Sequence, residues 1–378
     1  MRFLFLNQYF PPDRAPTGIL LRELADGLCA AGHAVDFVSS KQNYRAAKKR
    51  GGGRAARELS ALWSIFQNGL KTKPRPDVIV SATSPPLLIV VAALLAKLRG
   101  ARARASHVHW LFDMYPDLAV ALGEIKTESP LTRFFFAITR WAYRNADFIV
   151  ALDEDMAAHL AQRHGVEPER VKIIAPWVFS SLLEQAQRAN ANAHAREKKS
   201  ERLLLYSGNL GRAHEWETLL EAQSFLEKSG SPWRLIFQGG GPSWQPAQAR
   251  AKQLGLLRCE WKTYVPESEL CASLLCADVL AVTQRPETKG LLWPSKLGLV
   301  TALPRRILWI GLTNGAIAQM LKNYPQAGIF SPGQSREIAD WLDDDARNFS
   351  QNFSPKINDA AAVREAALRR WMELLLKA

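Results

Sequence analysis

Gly208-Asn209-Leu210-Gly211-Arg212 follows the apolar run Leu203–Ser207 and precedes a helical pattern that begins near Glu215. Glycines let a backbone approach an anion, and a helix N-terminus presents unpaired N–H groups to it. Arg212 and His214 add side-chain donors. The pattern fits a phosphate-binding turn and also an ordinary tight turn. Phe237-Gln238-Gly239-Gly240-Gly241-Pro242 sets three glycines directly after a strand. They suit close approach of a flat ligand or its ribose, or simply a flexible turn. In Gly290-Leu291-Leu292-Trp293-Pro294-Ser295-Lys296-Leu297, Pro294 and Ser295 are a helix-start signal that places Lys296 in the first turn. A cation there opposes the helix dipole unless an anion is bound. That predicts a diphosphate held between this helix end and Arg212. In the first half of the chain, His107 and His109 alternate on a strand and point to one face. Chelation of a metal and a core or hydrogen-bonding role are both open to them. Asp113 is a candidate general base, or else a cap or loop carboxylate beside Pro116.

These residues need a scaffold, and the chain alternates strand and helix patterns throughout. Arg2–Leu6 reads as a buried strand, Ile19–Ala31 as a helix with Leu20, Leu21, Leu24 and Leu28 on one face, and Ala34–Ser39 as a second strand. Further strands are predicted at 77–82, 105–111, 146–152 and 171–174, with helices at 58–70, 87–98, 130–145 and 154–164. Ser84 reads as the cap of the helix at 87–98, with Pro85 in its first turn. The helix at 58–70 places Leu59, Leu62, Trp63, Phe66 and Leu70 on one side. After a polar stretch, the same rhythm restarts at Leu203. This predicts an α/β protein of two doubly wound, Rossmann-like domains. The expected boundaries are 1–180, a linker at 181–201, a second domain at 202–355, and a terminal helix at 356–378 that packs back on the first domain.

The 378 residues suit two domains of ordinary size, and a charged fraction of 22% with 47% hydrophobic residues is a globular balance. The net charge is +13, and it is concentrated: Ser39–Trp110 holds fourteen Lys and Arg against Glu58 and Asp77. A one-sided basic patch attracts a polyanionic surface. Lys41–Arg57 with the helix after it reads either as a solvated basic loop beside a core-facing helix, or as an element lying on an anionic membrane. No nucleic-acid motif accompanies it, so nucleic acid is not an expected partner. Cys29, Cys259, Cys271 and Cys276 have no CxxC spacing, so buried thiols in a reducing compartment are expected and no metal site is. Met1–Leu6 is too short for the core of a signal peptide. The longest uncharged apolar stretch, Pro85–Ala96, falls short of the ~20 residues a spanning helix needs. A cytoplasmic protein, peripheral on the inner face of the cell membrane, is expected.

The ordered set SGNLGRAHEWETLLEA, FQGGGP, YVPESEL, CADVLAV and GLLWPSKLG resembles bacterial family 4 glycosyltransferases, retaining enzymes of the GT-B fold. NQYFPPDRAPTG resembles their opening loop, and HWLFDMYPDLAVALG resembles the D-x-x-P-[DE] segment of the subgroup that builds O-antigen and exopolysaccharide units. RWAYRNADFIVALDEDMAAHL and VKIIAPWV resemble their domain-boundary segments, so the likeness spans nearly the whole chain. It implies two Rossmann-like domains facing across a cleft that holds a nucleotide-sugar donor. Arg212 and Lys296 would grip the donor diphosphate, helped by Gly208, Asn209, Gly211, His214 and Ser295. Backbone at Gly239, Gly240, Gly241 and near Val265 would hold the nucleoside. The loop ending at Gly18 would approach the distal phosphate and the acceptor, and Asp113 and His109 would face the transferred sugar. The glutamate pair usual in that family falls at Leu291 and Leu299 here, with Glu287 a substitute for one of them. Thr301–Arg306 also lacks the family's small-residue turn, and Asn209 and His214 stand where a Lys or Arg is usual.

The reading is therefore a metal-independent glycosyltransferase of cell-surface polysaccharide synthesis. A UDP-sugar is the favoured donor, a polyprenyl-diphosphate-linked saccharide the acceptor, and no cofactor is expected. The missing glutamates leave a second reading open: a catalytically impaired relative that serves as a binding partner of another transferase.

Overall fold

The structure, a computed structural model, describes residues 1–13, 15–40, 53–99, 104–191, 201–324, 326–348 and 357–378. The chain forms two units. The first comprises Met1–Phe179, Gly290–Trp293 and Arg364–Ala378, and the second Ser180–Lys289 and Pro294–Val363.

The first unit holds β1 (Arg2–Leu6), β2 (Ala34–Val38), β3 (Val78–Ser81), β4 (Ser106–Trp110), β5 (Phe148–Ala151) and β6 (Val171–Ile173). All pair in parallel, in the order β2-β1-β3-β4-β5-β6. Successive side chains of a strand face opposite sides. Phe3, Leu4, Phe5 and Leu6 are all fully buried, so both faces of the sheet are covered. That is why β1 reads as an unbroken apolar run rather than an alternating one. Its helices are α1 (Pro16–Ala30), α2 (Arg54–Lys71), α3 (Leu88–Arg99), α4 (Asp117–Ala121), α5 (Pro130–Asn145) and α6 (Glu154–His159), the last continued by a π-helix over Leu160–His164. Leu20, Leu21, Leu24 and Leu28 of α1 are buried, the face its spacing predicts. Ser129 caps α5 and Asp153 caps α6, each accepting from the backbone N–H three residues on.

The second unit holds β7 (Arg202–Asn209), β8 (Trp233–Gly240), β9 (Cys259–Lys262), β10 (Val279–Thr283), β11 (Arg306–Ile310) and β12 (Ala327–Phe330). They form a parallel sheet in the order β12-β11-β10-β7-β8-β9. Counted from its own first strand, this is the Rossmann order, while the first unit follows the flavodoxin-like order. The helices are α7 (Ser180–Ala191), α8 (Glu217–Lys228), α9 (Trp244–Gln253), α10 (Leu270–Leu275), α11 (Leu297–Ala302), α12 (Ala316–Leu321) and α13 (Ser335–Asn348). The last helix, α14 (Ile357–Lys377), belongs to the first unit from Arg364 on. There Trp371 is fully buried with its ring 4.5 Å from that of Trp110, and Arg364 pairs with Glu23 at 3.0 Å.

Three local readings change. Ser84 does not cap a helix: α3 begins at Leu88, and the Ser84 hydroxyl donates to Gln8 Oε1 at 2.8 Å. The stretch read as a linker carries α7 over Ser180–Ala191, and 192–200 lie outside the described residues. The expected one-sided apolar face of α2 is split. Ala61 and Ile65 are buried with Leu62, Phe66 and Leu70 packed on the core, while Leu59 and Trp63, four residues apart, point outward at 63% and 60% exposure. The basic loop Lys41–Gly52 lies outside the described residues.

Candidate active site

In a doubly wound sheet, ligands bind outside the carboxyl ends of the strands at the point where the strand order reverses. In the second unit that point lies between β7 and β10. β7 ends in Gly208 and Asn209, and β10 ends in Thr283. His214, from the loop after β7, reaches across the switch point, its Nδ1 2.8 Å from the Thr283 carbonyl oxygen. The switch point is thus a built structure, closed by a side chain of its own.

Lys296 occupies it. Its Nζ is buried without a hydrogen-bond partner and sits 3.3 Å from the centroid of the Tyr206 ring. Enclosure holds its basicity well below the ordinary value of 10.5. The Gly208 backbone is in contact, since a Cβ built there would lie 3.4 Å from both Cε and Nζ of Lys296. Burial lowers the His214 imidazole to about 3, with the Lys296 charge adding to the effect, so the ring is neutral at physiological pH. Lys296 does not stand where its helix-start signal predicts. The residue is the N-cap of α11 rather than part of its first turn, and that helix has six residues, too few for a large dipole. What marks Lys296 is a desolvated cation without an anionic partner.

The glycines divide by cause. Gly239 and Gly241 have φ of 144° and 135°. A Cβ at Gly239 would lie 2.1 Å from the Gly208 carbonyl oxygen, and one at Gly241 2.6 Å from that of Leu210. Both demands come from the chain's own backbone, so the expectation that a flat ligand explains them is not needed. Gly240 has no such constraint; the nearest atom to a Cβ there is Tyr264 Cε2, at 3.3 Å. Gly211 sits beside Asn209, whose Nδ2 lies 3.1 Å from its Cβ position. Asn209, Arg212, Glu287 and Ser295 are exposed, and Val265 is half-buried. Lys296, His214, Gly208 and Asn209 are thus gathered at the switch point, and Tyr206 joins them unforeseen. As the single aromatic residue on an apolar strand, Tyr206 reads as core and carries no sequence signal of that role.

The first unit has its own reversal between β1 and β3. There Gln8 N–H donates to the Ser84 carbonyl at 2.6 Å, and Asn7 Nδ2 donates to the carbonyl of Tyr9 at 2.7 Å. Gly18 lies in α1, where a Cβ would come 2.5 Å from the Tyr9 carbonyl oxygen, so glycine lets this loop rest on the helix. Asp113 follows β4 and makes an antiparallel bridge with Leu292, while the neighbouring Met114 N–H donates to Leu291 O at 2.8 Å. Burial raises the Asp113 carboxyl to about 6, so it is ionised at neutral pH but close to its midpoint. Leu291 and Leu299 are 4% and 8% exposed. Each is packed as an apolar side chain, an environment that would penalise an unpaired glutamate. Gly290 passes against α6 with φ of 67°, its Cβ position 2.7 Å from the Asp155 carbonyl oxygen.

His109 departs from the expectation that it faces a sugar. It is 1% exposed, its Nδ1 lies 2.8 Å from Ser81 Oγ, and its ring packs edge-on to Tyr143. His107 Nε2 meets the same hydroxyl at 2.9 Å. The shared face of the two histidines is a buried face of the sheet, and burial drives both toward the neutral form. His109 is therefore a core residue without access to a sugar.

Residues 17–179 match the sequence profile of Glycosyltransferase Family 4. A Pseudomonas aeruginosa protein named as a glycosyltransferase, WbjE, is 24% identical over 270 residues, covering 70% of this chain and 66% of its own length. WcaI of Escherichia coli K12, named as a colanic acid biosynthesis glycosyl transferase, is 21% identical over 370 residues, covering 89% of this chain and 90% of its own. Among solved structures, Anabaena HepE in complex with UDP and glucose superposes with a TM-score of 0.65 at 15% identity, covering 100% of both chains. Two parallel six-stranded units with this match define the class: a glycosyltransferase of the GT-B fold. Within that class, the segment 17–179 is similar to glycosyltransferase family 4.

Proposed function

We propose that the chain transfers a sugar from a nucleotide-sugar donor, a UDP-sugar in the favoured case, to a lipid-linked saccharide in cell-surface polysaccharide synthesis. The observation that supports this most is the Lys296 ammonium, enclosed without an anionic partner at the switch point of the second unit. A donor diphosphate would supply the missing counter-charge. As the glycosidic bond breaks, negative charge grows on the diphosphate. Lys296, Arg212 and the backbone N–H groups of the Gly208–Arg212 turn would stabilise it, with no metal ion or cofactor in the scheme. In the retaining course we infer, the acceptor hydroxyl attacks from the side the diphosphate leaves, and the departing phosphate oxygen takes its proton. Asp113, ionised above about pH 6, is a carboxylate of the first unit just after the carboxyl end of β4. The name of WcaI, a colanic acid biosynthesis glycosyl transferase, favours a polysaccharide pathway, and the UDP in the HepE structure favours a uridine donor. Thermal unfolding with UDP, GDP, TDP and ADP sugars tests this. A UDP-sugar is expected to raise the melting temperature most, and no rise with any of the four would overturn the donor assignment.

The acceptor is proposed to reside at an anionic membrane. Among the described residues no helix is long and apolar enough to cross one, so the contact would be a surface one. In the first unit α2 packs on α3 and α3 on α5. These helices expose Leu59, Trp63, Leu98, Leu131 and Phe134, each between 56% and 63%. Lys71, Lys97, Arg133 and Arg140 lie on the same helices, and Lys97 Nζ stands 4.9 Å from the Trp141 ring centroid. Apolar side chains flanked by cations suit an interfacial surface. The expected result is flotation with anionic vesicles at low salt, release at high salt, and binding weakened about tenfold or more by the Leu59→Ser, Trp63→Ser double variant. Equal binding to neutral and anionic vesicles would refute the electrostatic half of the proposal.

A further inference from the structure

We propose that Asp117, His159 and His164 form a zinc site in the first unit, separate from the donor site. Asp117 opens α4 and is 6% exposed. Its Oδ1 lies 3.0 Å from His159 Nε2, and its Oδ2 lies 2.9 Å from His164 Nε2. One ligand atom from each residue falls within 4.8 Å of the others. Two imidazole nitrogens and a carboxylate are a donor set that suits Zn²⁺, with the fourth position taken by water. Zinc bonds of about 2.0–2.2 Å at tetrahedral angles set the ligand atoms about 3.4 Å apart. The two Asp117–imidazole separations would lengthen by about half an ångström to admit the ion.

The backbone is shaped for this convergence. Residues five apart on an α-helix point about 140° away from each other. His159 and His164 are five apart, and the segment between them is π-helical. The wider turn brings residues five apart over one another, and such turns recur at functional sites. His164 is fully buried, held edge-on to Tyr143 with ring centroids 4.9 Å apart and stacked on Phe136. Its Nδ1 is buried without a hydrogen-bond partner, and the ring meets Asp117 through Nε2. The His159 side chain is 31% exposed, which leaves a route for the ion and for a water ligand. Arg163 is the nearby competing cation. Its Nε stands 3.9 Å from Asp117 Oδ1, on a side chain that is 50% exposed and whose guanidinium carbon lies 5.0 Å from the Phe136 ring centroid.

The ion would clip α4 to the segment after α6. Asp113, four residues before Asp117, would then be held by a fixed turn. The inference concerns the first unit alone and stands whether or not the donor assignment does.

The test uses the full chain, free of any affinity tag and dialysed against a chelator. Co²⁺ is titrated in and read by its visible ligand-field absorption, then displaced by Zn²⁺, with thermal unfolding followed in parallel. One equivalent is expected to bind and to raise the melting temperature. His159→Gln is expected to weaken binding tenfold or more, and its half-exposed position makes a folded variant the expected outcome. Asp117→Asn should do the same. His33, whose Nδ1 lies 3.4 Å from the N-terminal nitrogen, provides the control. Binding lost in His33→Gln but kept in His159→Gln would overturn the proposal, as would no binding by the unaltered chain.

Discussion

Lys296→Met is expected to lower sugar transfer by about 10²–10³-fold and at the same time to make the folded chain more stable. The first effect follows from removing a preorganised cation from the developing charge of a leaving diphosphate. The second follows from burial. The Lys296 ammonium is enclosed with an aromatic ring as its neighbour and without a hydrogen-bond acceptor. Replacing a poorly paired buried ion by an apolar side chain of similar length stabilises a fold by roughly 1–4 kcal/mol. Linkage gives the pH signature. Burial depresses the basicity of Lys296 below 10.5, so between its folded and unfolded values the unfolded chain binds the extra proton. Stability of the unaltered chain therefore rises with pH across that window. The advantage of the methionine variant is largest at low pH and vanishes as pH climbs toward 10.5. Melting curves across pH, with kcat/KM at neutral pH, read both effects. A variant that loses activity and stability together would point to a merely structural lysine.

Gly239→Ala should unfold the second unit or cost it about 4 kcal/mol, combining left-handed strain with overpacking. The methyl group would arrive 2.1 Å from the Gly208 carbonyl oxygen, at a residue with φ of 144°. The clash is with backbone, and Gly208 pairs with Gly239 in the β7–β8 ladder, so no side-chain rotation relieves it. Gly240→Ala is the control. Its methyl meets only the flexible Tyr264 ring, at 3.3 Å, and should change stability by less than about 1 kcal/mol. Denaturant unfolding distinguishes the two, and equal effects would show that the three glycines serve a common purpose.

Much of this was legible from the residues, and the exceptions have physical causes. The strands were readable because parallel sheets bury both faces and leave apolar runs such as Phe3–Leu6. α4, α11 and α12 have five or six residues each, less than two turns, so periodicity has little to act on. Lys296 was identified, but for a reason that the short α11 does not supply. Its burial over Tyr206 depends on where β7 brings an aromatic ring, which spacing does not encode. His109 resembled a site residue because the carboxyl end of a strand is where ligands bind. Ser81, 28 residues earlier in sequence but paired with it across the β3–β4 ladder, bonds to it within the buried face of the sheet. Asp117 and the two later histidines were invisible as a set, since a spacing of five has no meaning on an ordinary helix and acquires one only through the π-turn.

The first unit is discontinuous in sequence, and this has a consequence for synthesis. Residues 1–179 precede the second unit in synthesis, yet Trp110 gains one of its ring partners, Trp371, and Glu23 one of its, Arg364, only after the whole second unit has been made. The half of the protein that is translated first is thus the half whose core closes last. During elongation its apolar surface around Trp110 waits uncovered, exposed to aggregation or to a chaperone. Only a chain translated through Arg364–Ala378 seals the earlier unit.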